Sequence, residues 1–213
     1  MNKYFKESVL WALIALPYVY LATTWNKMPD VVPIHFDMEG NANGWANKTT
    51  FLFIPGALGI GIYVLMILLP FLDPKKKIEQ MGEKYFSVRF MLTLFISTLS
   101  IYTIYAGNTG TLKGTNLLFA LIGILFAFMG NYFQAIRPNY FIGIRTPWTL
   151  ENEEVWKKTH RLGGRLWMAG GILIVILSFI IKSRPDILAF LFLPMGIVPI
   201  VFSYIEFRKE KTD

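Results

Sequence analysis

The chain has 213 residues, of which 54% are hydrophobic and only 16% are charged, and its formal net charge is +7. Soluble domains have about 25% charged residues, so this composition excludes an ordinary water-soluble globule. The lack of cysteine excludes disulfides, thiolate chemistry and cysteine-bound metal sites. No basic segment is long enough to fold separately, so direct nucleic-acid binding is not expected.

Long runs without any charged residue or histidine dominate the chain. Because a helix needs about 20 apolar residues to cross a bilayer, these runs predict six transmembrane helices. The expected spans are 8–26, 49–72, 90–112, 114–136, 165–182 and 187–205. The expected fold class is all-α, a polytopic integral membrane protein with residues 1–213 in a single membrane domain.

The first span has a second interpretation, because Lys3 and Lys6 precede it as they would precede the apolar core of a secretory signal peptide. The run is long for a signal peptide, no convincing cleavage site follows it, and its removal would leave an odd number of spans. We therefore expect a retained transmembrane helix.

Basic residues set the expected orientation, since Lys and Arg near span ends stay on the cytoplasmic side. If the N-terminus is inside, 16 of the 21 Lys and Arg lie in cytoplasmic segments. Both termini and the loops 73–89 and 137–165 are then cytoplasmic, and the loop 27–48 is outside.

The outer loop 27–48 is expected to be structured. Its prolines favour extended backbone in the residues before them, Asn43-Gly44 is a tight-turn signal, and Trp45 is placed to seat the loop at the membrane interface. A partner-binding surface or a hydrogen-bonded loop fold is the leading interpretation, with Phe36 and Trp45 as apolar contacts.

His35, Asp37 and Glu39 alternate in this loop, so in an extended segment all three point to one side. That arrangement makes them weak candidates for a metal site or an acid–base group. Ligand-type residues this close together occur often by chance, and we expect no metal, no cofactor and no enzymatic activity.

The inner loop 73–89 begins with Asp73-Pro74 followed by three lysines. These lysines fit a topology signal, and a contact with anionic lipid is the alternative.

Mildly polar faces run along the third and fourth spans. Thr93, Ser97 and Ser100 share one face of the third, and the fourth has a similar face made by Gly123, Ala127, Asn131 and Gln134. Such faces favour helix packing, with a ligand path as the alternative. A transporter of small solutes or peptides is therefore a second functional hypothesis, weakened because proton-coupled carriers usually keep an ionisable residue inside their spans.

The inner loop 137–165 is rich in aromatic and charged residues. Thr149 fits an N-cap and Gly163-Gly164 fits a helix end, which predicts a short amphipathic helix over 150–162 at the inner interface. His160 is a conceivable catalytic base, but no second group is placed to orient it.

This loop resembles the hallmark of the bacterial SdpI-type immunity proteins, in the run Asn-Tyr-Phe-Ile-Gly-Ile-Arg-Thr-Pro-Trp-Thr over 139–149 and the later Val-Trp and Thr-His pairs. The outer loop is similar to that family's N-terminal signature, with two prolines, His35-Phe36 and Asn43-Gly44-Trp45. The candidate inner-loop residues are Asn139, Gly143, Arg145, Thr146, Pro147, Trp148, Trp156 and His160.

The resemblance implies a multi-pass protein of the bacterial plasma membrane that protects a producing cell from a secreted antimicrobial peptide. Some members of the family are also receptors that recruit a cytoplasmic transcriptional repressor to the membrane. The implied partners are the lipid bilayer, the toxin peptide and such a repressor. His35, Phe36, Asp37, Glu39 and Trp45 are then candidate contacts outside the cell, and the 137–165 loop is the candidate surface inside it.

Overall fold

The structure is a computed structural model that describes residues 2–37, 40–112, 114–181 and 185–210. Its helices are α1 (Lys3–Thr24), α2 (Thr50–Leu72), α3 (Glu83–Thr109), α4 (Thr115–Tyr132), α5 (Pro147–Glu151), α6 (Glu153–Ile180), α7 (Pro185–Phe190) and α8 (Phe192–Glu210). Two antiparallel strands, β1 (Val31–Phe36) and β2 (Ala42–Asn47), form a hairpin between α1 and α2.

The prediction of six transmembrane helices is confirmed. Six helical segments are long and apolar enough to cross a bilayer, and they cover Lys3–Lys27, Thr50–Leu72, Glu83–Thr109, Thr115–Ala135, Glu153–Ile180 and Asp186–Glu210. The fold is therefore mostly helical, as expected, and the hairpin is an element that the sequence analysis did not assign.

The chain divides into two compact units. The first comprises Met1–Met66 and Arg89–Leu118, and the second comprises Ile67–Val88 and Phe119–Asp213. The hairpin lies in the first unit, and the 137–165 segment lies in the second.

The hairpin in the first unit corrects the expected turn at Asn43-Gly44. The strands pair Val31 with Asn47 and Phe36 with Ala42, so the reversal of the chain lies before Ala42 and not at Asn43-Gly44. Gly44 lies within β2 opposite His35, where its missing side chain leaves room for the imidazole: a Cβ there would lie 3.0 Å from the His35 Cβ. Asn43-Gly44 therefore lies within the strand pairing, at the point where its register is irregular.

A small apolar core anchors the hairpin to the helices of the first unit. Val32 of β1 is fully buried with Phe51 of α2 and Ile104 of α3, and Leu21 and Met28 complete the cluster. The Phe51 ring packs directly on the backbone of α3 at Gly107, where a Cβ would lie 2.5 Å from the nearest ring carbon. Burial of these side chains holds β1 against the helices.

The polar face of α3 points into the first unit, as the packing interpretation predicts. Thr93, Ser97 and Ser100 are all buried. The Ser97 hydroxyl donates to the Leu13 carbonyl of α1 at 2.7 Å, which joins the two helices.

Helices α4 and α6 pack through glycine in the second unit, and this corrects the expected helix end at Gly163-Gly164. Helix α6 runs without a break from Glu153 to Ile180. A Cβ at Gly164 would lie 2.7 Å from the Gly130 carbonyl oxygen, so glycine here permits close approach of two backbones. The helix expected over 150–162 is therefore the first part of α6, preceded by the separate short α5.

The prediction of a packing face on the fourth span is partly wrong. Gly123 is buried and approaches Gly171 of α6, but Asn131 and Gln134 are exposed. Gly130 forms the helix contact instead of these two residues. It lies seven residues, or about two helical turns, after Gly123, so both glycines of α4 face glycines of α6.

Candidate functional site

The hairpin is fastened at its turn and at its base. The Leu112 amide donates to the Gly40 carbonyl at 3.2 Å, and Gly40 has a positive φ of 89°. A side chain there would also meet the Leu112 carbonyl oxygen at 2.9 Å, so the position requires glycine for two reasons. At the base, Lys48 forms an ion pair with Asp30 at 2.9 Å and lies over the Trp25 ring.

The outer candidate residues have different roles. The carboxylate of Asp37 accepts hydrogen bonds from the Asn41 backbone and side-chain amides at 2.8 and 3.2 Å, so it shapes the turn. The His35 ring is exposed and bonded to the Asn43 side chain. Trp45 is 59% exposed. Among the outer candidates that the structure describes, its indole and the His35 ring are therefore the exposed ones.

The weak metal hypothesis gains no support from these contacts. Glu39 lies outside the described residues, and among the described part of the chain no group of three His, Asp or Glu side chains could hold a metal ion. Phe36 is half-buried and lines a cavity beneath the hairpin.

Asn139 organises the start of the 137–165 segment in the second unit. Its side chain is 1% exposed, and its amide nitrogen donates to the carbonyls of Arg137 and Ile142 at 2.8 and 3.1 Å. Its oxygen accepts from the backbone amides of Phe141 and Ile142, both at 2.8 Å. One side chain thus satisfies four backbone groups of a loop whose backbone is not paired in a helix or a sheet.

His160 and Trp156 form the floor beneath this loop. The imidazole stacks on the indole with ring centroids 4.1 Å apart, and both residues are buried. The Ile144 amide donates to His160 Nε2 at 3.0 Å, and His160 Nδ1 lies 2.9 Å from the Trp156 carbonyl. These partners require a neutral ring with its proton on Nδ1, so both nitrogens are occupied in holding the loop.

Gly143 is required where the loop crosses this floor. Its φ is 109°, which disfavours any other residue. A side chain there would collide with the His160 ring. The glycine therefore lets the backbone lie directly on the imidazole.

Thr146 corrects the expected N-cap at Thr149. Thr146 caps α5, and the two threonines form a reciprocal capping box in which Thr149 is the third helical residue. Pro147 occupies the first helical position, which tolerates proline because its amide would be unpaired there. Asn152, not Thr149, caps α6 by accepting from the amides of Glu154 and Val155.

The same cap ties the loop to α8. The Thr146 hydroxyl lies 3.0 Å from that of Ser203, and both residues are buried. Trp148 packs on Tyr204 with ring centroids 5.1 Å apart. Nothing in the local sequence marked Ser203 as a partner, because it is 57 residues away inside an apolar span.

Arg145 is the exposed cation of the motif run 139–149. Its guanidinium donates to the Tyr140 carbonyl at 2.7 Å, and the side chain otherwise faces outward. It borders a cavity of about 270 Å³ whose other walls include Thr146, Trp167 and Met195. A second cavity of about 320 Å³ is lined by His160 together with Arg137, Lys157 and Arg161. The motif thus divides into buried residues that build the loop and a basic outer surface.

Comparison with known proteins identifies the segments that carry these features. Residues 135–205 match the SdpI/YfhL protein family, and residues 12–59 match a domain of unknown function, DUF1648. The resemblance to the SdpI-type family is confirmed. The first match contains the loop, its His160 floor and the α8 partner, and the second contains the hairpin.

One curated relative of this family spans most of the chain. The Immunity protein SdpI of Bacillus subtilis (strain 168) is 26% identical over 167 residues, which is 78% of each chain. No solved structure matches. Together with the six apolar helices, this relationship identifies a multi-pass protein of the cell membrane.

Proposed function

We propose that the chain is a membrane immunity protein that protects its cell from a secreted antimicrobial peptide. The observation that carries the proposal is the relationship to an immunity protein over 78% of the chain. The six apolar helices support it, because protection against a membrane-active peptide is exerted at the membrane.

The hairpin is the proposed contact for the peptide. The excess of basic residues in the segments on the opposite side of the membrane supports an outside location for the 27–48 segment. Trp45 supplies an exposed indole, and the neighbouring Ile34 is 44% exposed. Exposed aromatic and aliphatic groups on a braced two-stranded scaffold can bind an apolar peptide with little loss of conformational freedom.

Survival of a sensitive bacterium tests the proposal. Cells that express the chain are challenged with a secreted killing peptide of the kind against which the SdpI-type resemblance implies protection, beside cells with an empty vector. We expect the chain to raise the inhibitory peptide concentration at least tenfold. Equal killing of both cultures, with the protein inserted and abundant, would contradict immunity to this peptide.

The proposal also includes a receptor role for the chain. In it, the basic surface around Arg145 binds a cytoplasmic repressor when peptide is bound outside, which requires the two affinities to be coupled. Support comes from the division of the motif, because Arg145 is exposed while Asn139 and His160 are buried within the loop.

Arg145→Ala separates receptor activity from immunity. We expect the variant to lose peptide-dependent recruitment of the repressor to membranes while it still protects cells. Lys84→Ala is the matched control, because Lys84 is also an exposed cation but lies outside the 137–165 segment. Unchanged recruitment by Arg145→Ala would remove this surface from the receptor hypothesis.

A further inference from the structure

Three cationic side chains line one cavity in the second unit. Arg137 follows α4, and Lys157 and Arg161 lie one turn apart on α6. All three residues are exposed, so their charged groups are within reach of a ligand. The buried residues Trp156 and His160 also line the cavity, and among the described residues no Asp or Glu does. The cavity is therefore positively charged and attracts anions.

Arg161 differs from a neighbouring cation of α6 that the chain itself neutralises. Lys158 forms ion pairs with Glu206 and Glu210 of α8 at 3.2 and 3.0 Å. Arg161 has no carboxylate partner in the part of the chain that the structure describes. One face of α6 thus has its positive charge balanced by α8, and the face that lines the cavity does not.

The other two cations of the cavity are also weakly balanced. Arg137 donates to the uncharged Gln80 side chain at 2.7 Å. Lys157 lies 3.6 Å from the carboxylate of Glu154, and both side chains are more than half exposed. An exposed ion pair of this kind contributes little. All three cations therefore remain available to an anionic ligand.

An exposed stripe on α6 begins at this cavity and continues along the span. Residues at spacings of three or four follow Arg161 on one helix face: Arg165, Met168, Ile172, Ile176 and Phe179. The four apolar members are 41–52% exposed, and α6 is one of the helices that can cross a bilayer. From Arg165 to Ile176 the stripe spans about 16 Å, close to the hydrocarbon thickness of one leaflet, about 15 Å.

We propose that the cavity binds the phosphate group of an anionic phospholipid, and that an acyl chain of this lipid lies along the exposed stripe of α6. Charge complementarity selects an anion, and basic pockets at the ends of membrane helices bind such headgroups. The stripe selects a lipid over a soluble phosphate, because a lipid joins its phosphate to hydrocarbon. The cavity is open on one side, which suits a headgroup whose chains remain outside it.

The bound phosphate connects two parts of the second unit. Arg137 lies at the start of the 137–165 segment, and Arg161 lies near its end on α6. An anion between them therefore holds both ends of the segment together. Lipid binding here does not require the killing peptide, so it can be tested without the proposed function.

The unfolding temperature of the purified full-length chain in neutral detergent measures lipid binding. Phosphatidylglycerol and phosphatidylcholine with the same acyl chains are titrated separately at constant ionic strength. We expect phosphatidylglycerol to bind at least about tenfold more tightly, because phosphatidylcholine has a cation beside its phosphate. Equal affinities for the two lipids would overturn an anionic site.

Single-charge variants assign this preference to the cavity. Each cation beside an anionic headgroup changes affinity about fivefold, so Arg161→Gln should weaken phosphatidylglycerol about fivefold and the addition of Lys157→Gln about 25-fold. Lys84→Gln is the matched control, because Lys84 is an exposed cation of α3 that does not line the cavity. We expect its affinity to stay within about twofold. Equal weakening by Lys84→Gln and Arg161→Gln would show that the lipid responds to overall charge and would overturn the site.

Fluorescence quenching tests the position of the acyl chain. Because the chain has no cysteine, a fluorophore can be attached to one introduced thiol. Met168→Cys places it on the stripe, and Leu68→Cys places it at an exposed position near the end of α2. The proteins are inserted into phosphatidylcholine vesicles with a small fraction of spin-labelled phosphatidylglycerol or spin-labelled phosphatidylcholine. We expect the phosphatidylglycerol label to quench position 168 at least about twofold more strongly, and the two labels to quench position 68 equally.

A titration with inorganic phosphate separates the lipid from a soluble anion. We expect inorganic phosphate at the same ionic strength to leave the unfolding temperature unchanged. Stabilisation by inorganic phosphate that Arg161→Gln removes, with equal quenching of position 168 by both lipid labels, would assign the cavity to a soluble anion and overturn the lipid. Equal quenching at position 168 without such stabilisation would overturn the stripe as the acyl-chain contact.

Discussion

Replacement of Asn139 by alanine should destabilise the loop that precedes α5, because this side chain makes four hydrogen bonds to the backbone of that loop. The four distances lie between 2.8 and 3.1 Å, and the residue is 1% exposed, so water cannot replace the lost partners. At about 1 kcal/mol net for each bond, Asn139→Ala should lower the free energy of unfolding by about 4 kcal/mol.

Denaturant titration of the purified chain in detergent measures this loss, with tryptophan fluorescence as the signal. Arg145→Ala is the control, because this exposed residue makes one bond to the Tyr140 carbonyl, and we expect a loss below about 1 kcal/mol. An Asn139→Ala loss no larger than that of the control would refute the assignment of Asn139 as the organiser of the loop.

Three further predictions concern the helices and the hairpin. Gly164→Ala should cost about 2 kcal/mol of unfolding free energy, because its Cβ meets a backbone oxygen at 2.7 Å, whereas Gly61→Ala, with nothing within 4 Å, should be neutral or slightly stabilising; equal effects would contradict the glycine contact. Glu7→Gln should cost about 2 kcal/mol because it breaks a bidentate pair with Arg89 at 2.9 Å, and adding Arg89→Met should recover part of that loss in the same titration. Trp45→Ala should change stability by less than about 0.5 kcal/mol, since the ring is mostly exposed, but should lower protection in the survival assay; full protection would remove Trp45 from the peptide contact.

The six helices could be predicted from the sequence because the bilayer requires long uncharged runs. Each span must satisfy its own backbone hydrogen bonds in hydrocarbon, so length and hydropathy suffice. The ends were less certain, because helices such as α3 and α6 extend beyond the uncharged windows into residues that carry charge.

Local signals failed where a distant contact determined the structure. Gly163-Gly164 fits a helix end, but the facing glycine of α4 gives the pair another use within a continuous helix. Asn43-Gly44 fits a two-residue turn, but the Leu112 amide bonds to the Gly40 carbonyl, and the strands already pair at Phe36 and Ala42, so the reversal lies earlier. In each case the residue type was recognised correctly and its partner lay outside the sequence window.

The candidate site was located from the sequence, but the roles of its residues were not. The motif residues were recognised as a set. The sequence did not show that Asn139, Thr146 and His160 use their polar groups to hydrogen-bond backbone amides of the same segment. The Ser203 partner could not be predicted, because a serine within an apolar span gives no local indication of what it faces.

Peptide binding by the purified chain in lipid nanodiscs tests the central claim most directly. A fluorescent form of the killing peptide is titrated onto the unaltered chain, onto Trp45→Ala and onto empty nanodiscs. The account predicts saturable binding to the chain that is at least fivefold weaker for Trp45→Ala and absent from empty nanodiscs. Binding that does not exceed that of empty nanodiscs would contradict the claim that the protein recognises this peptide through its hairpin.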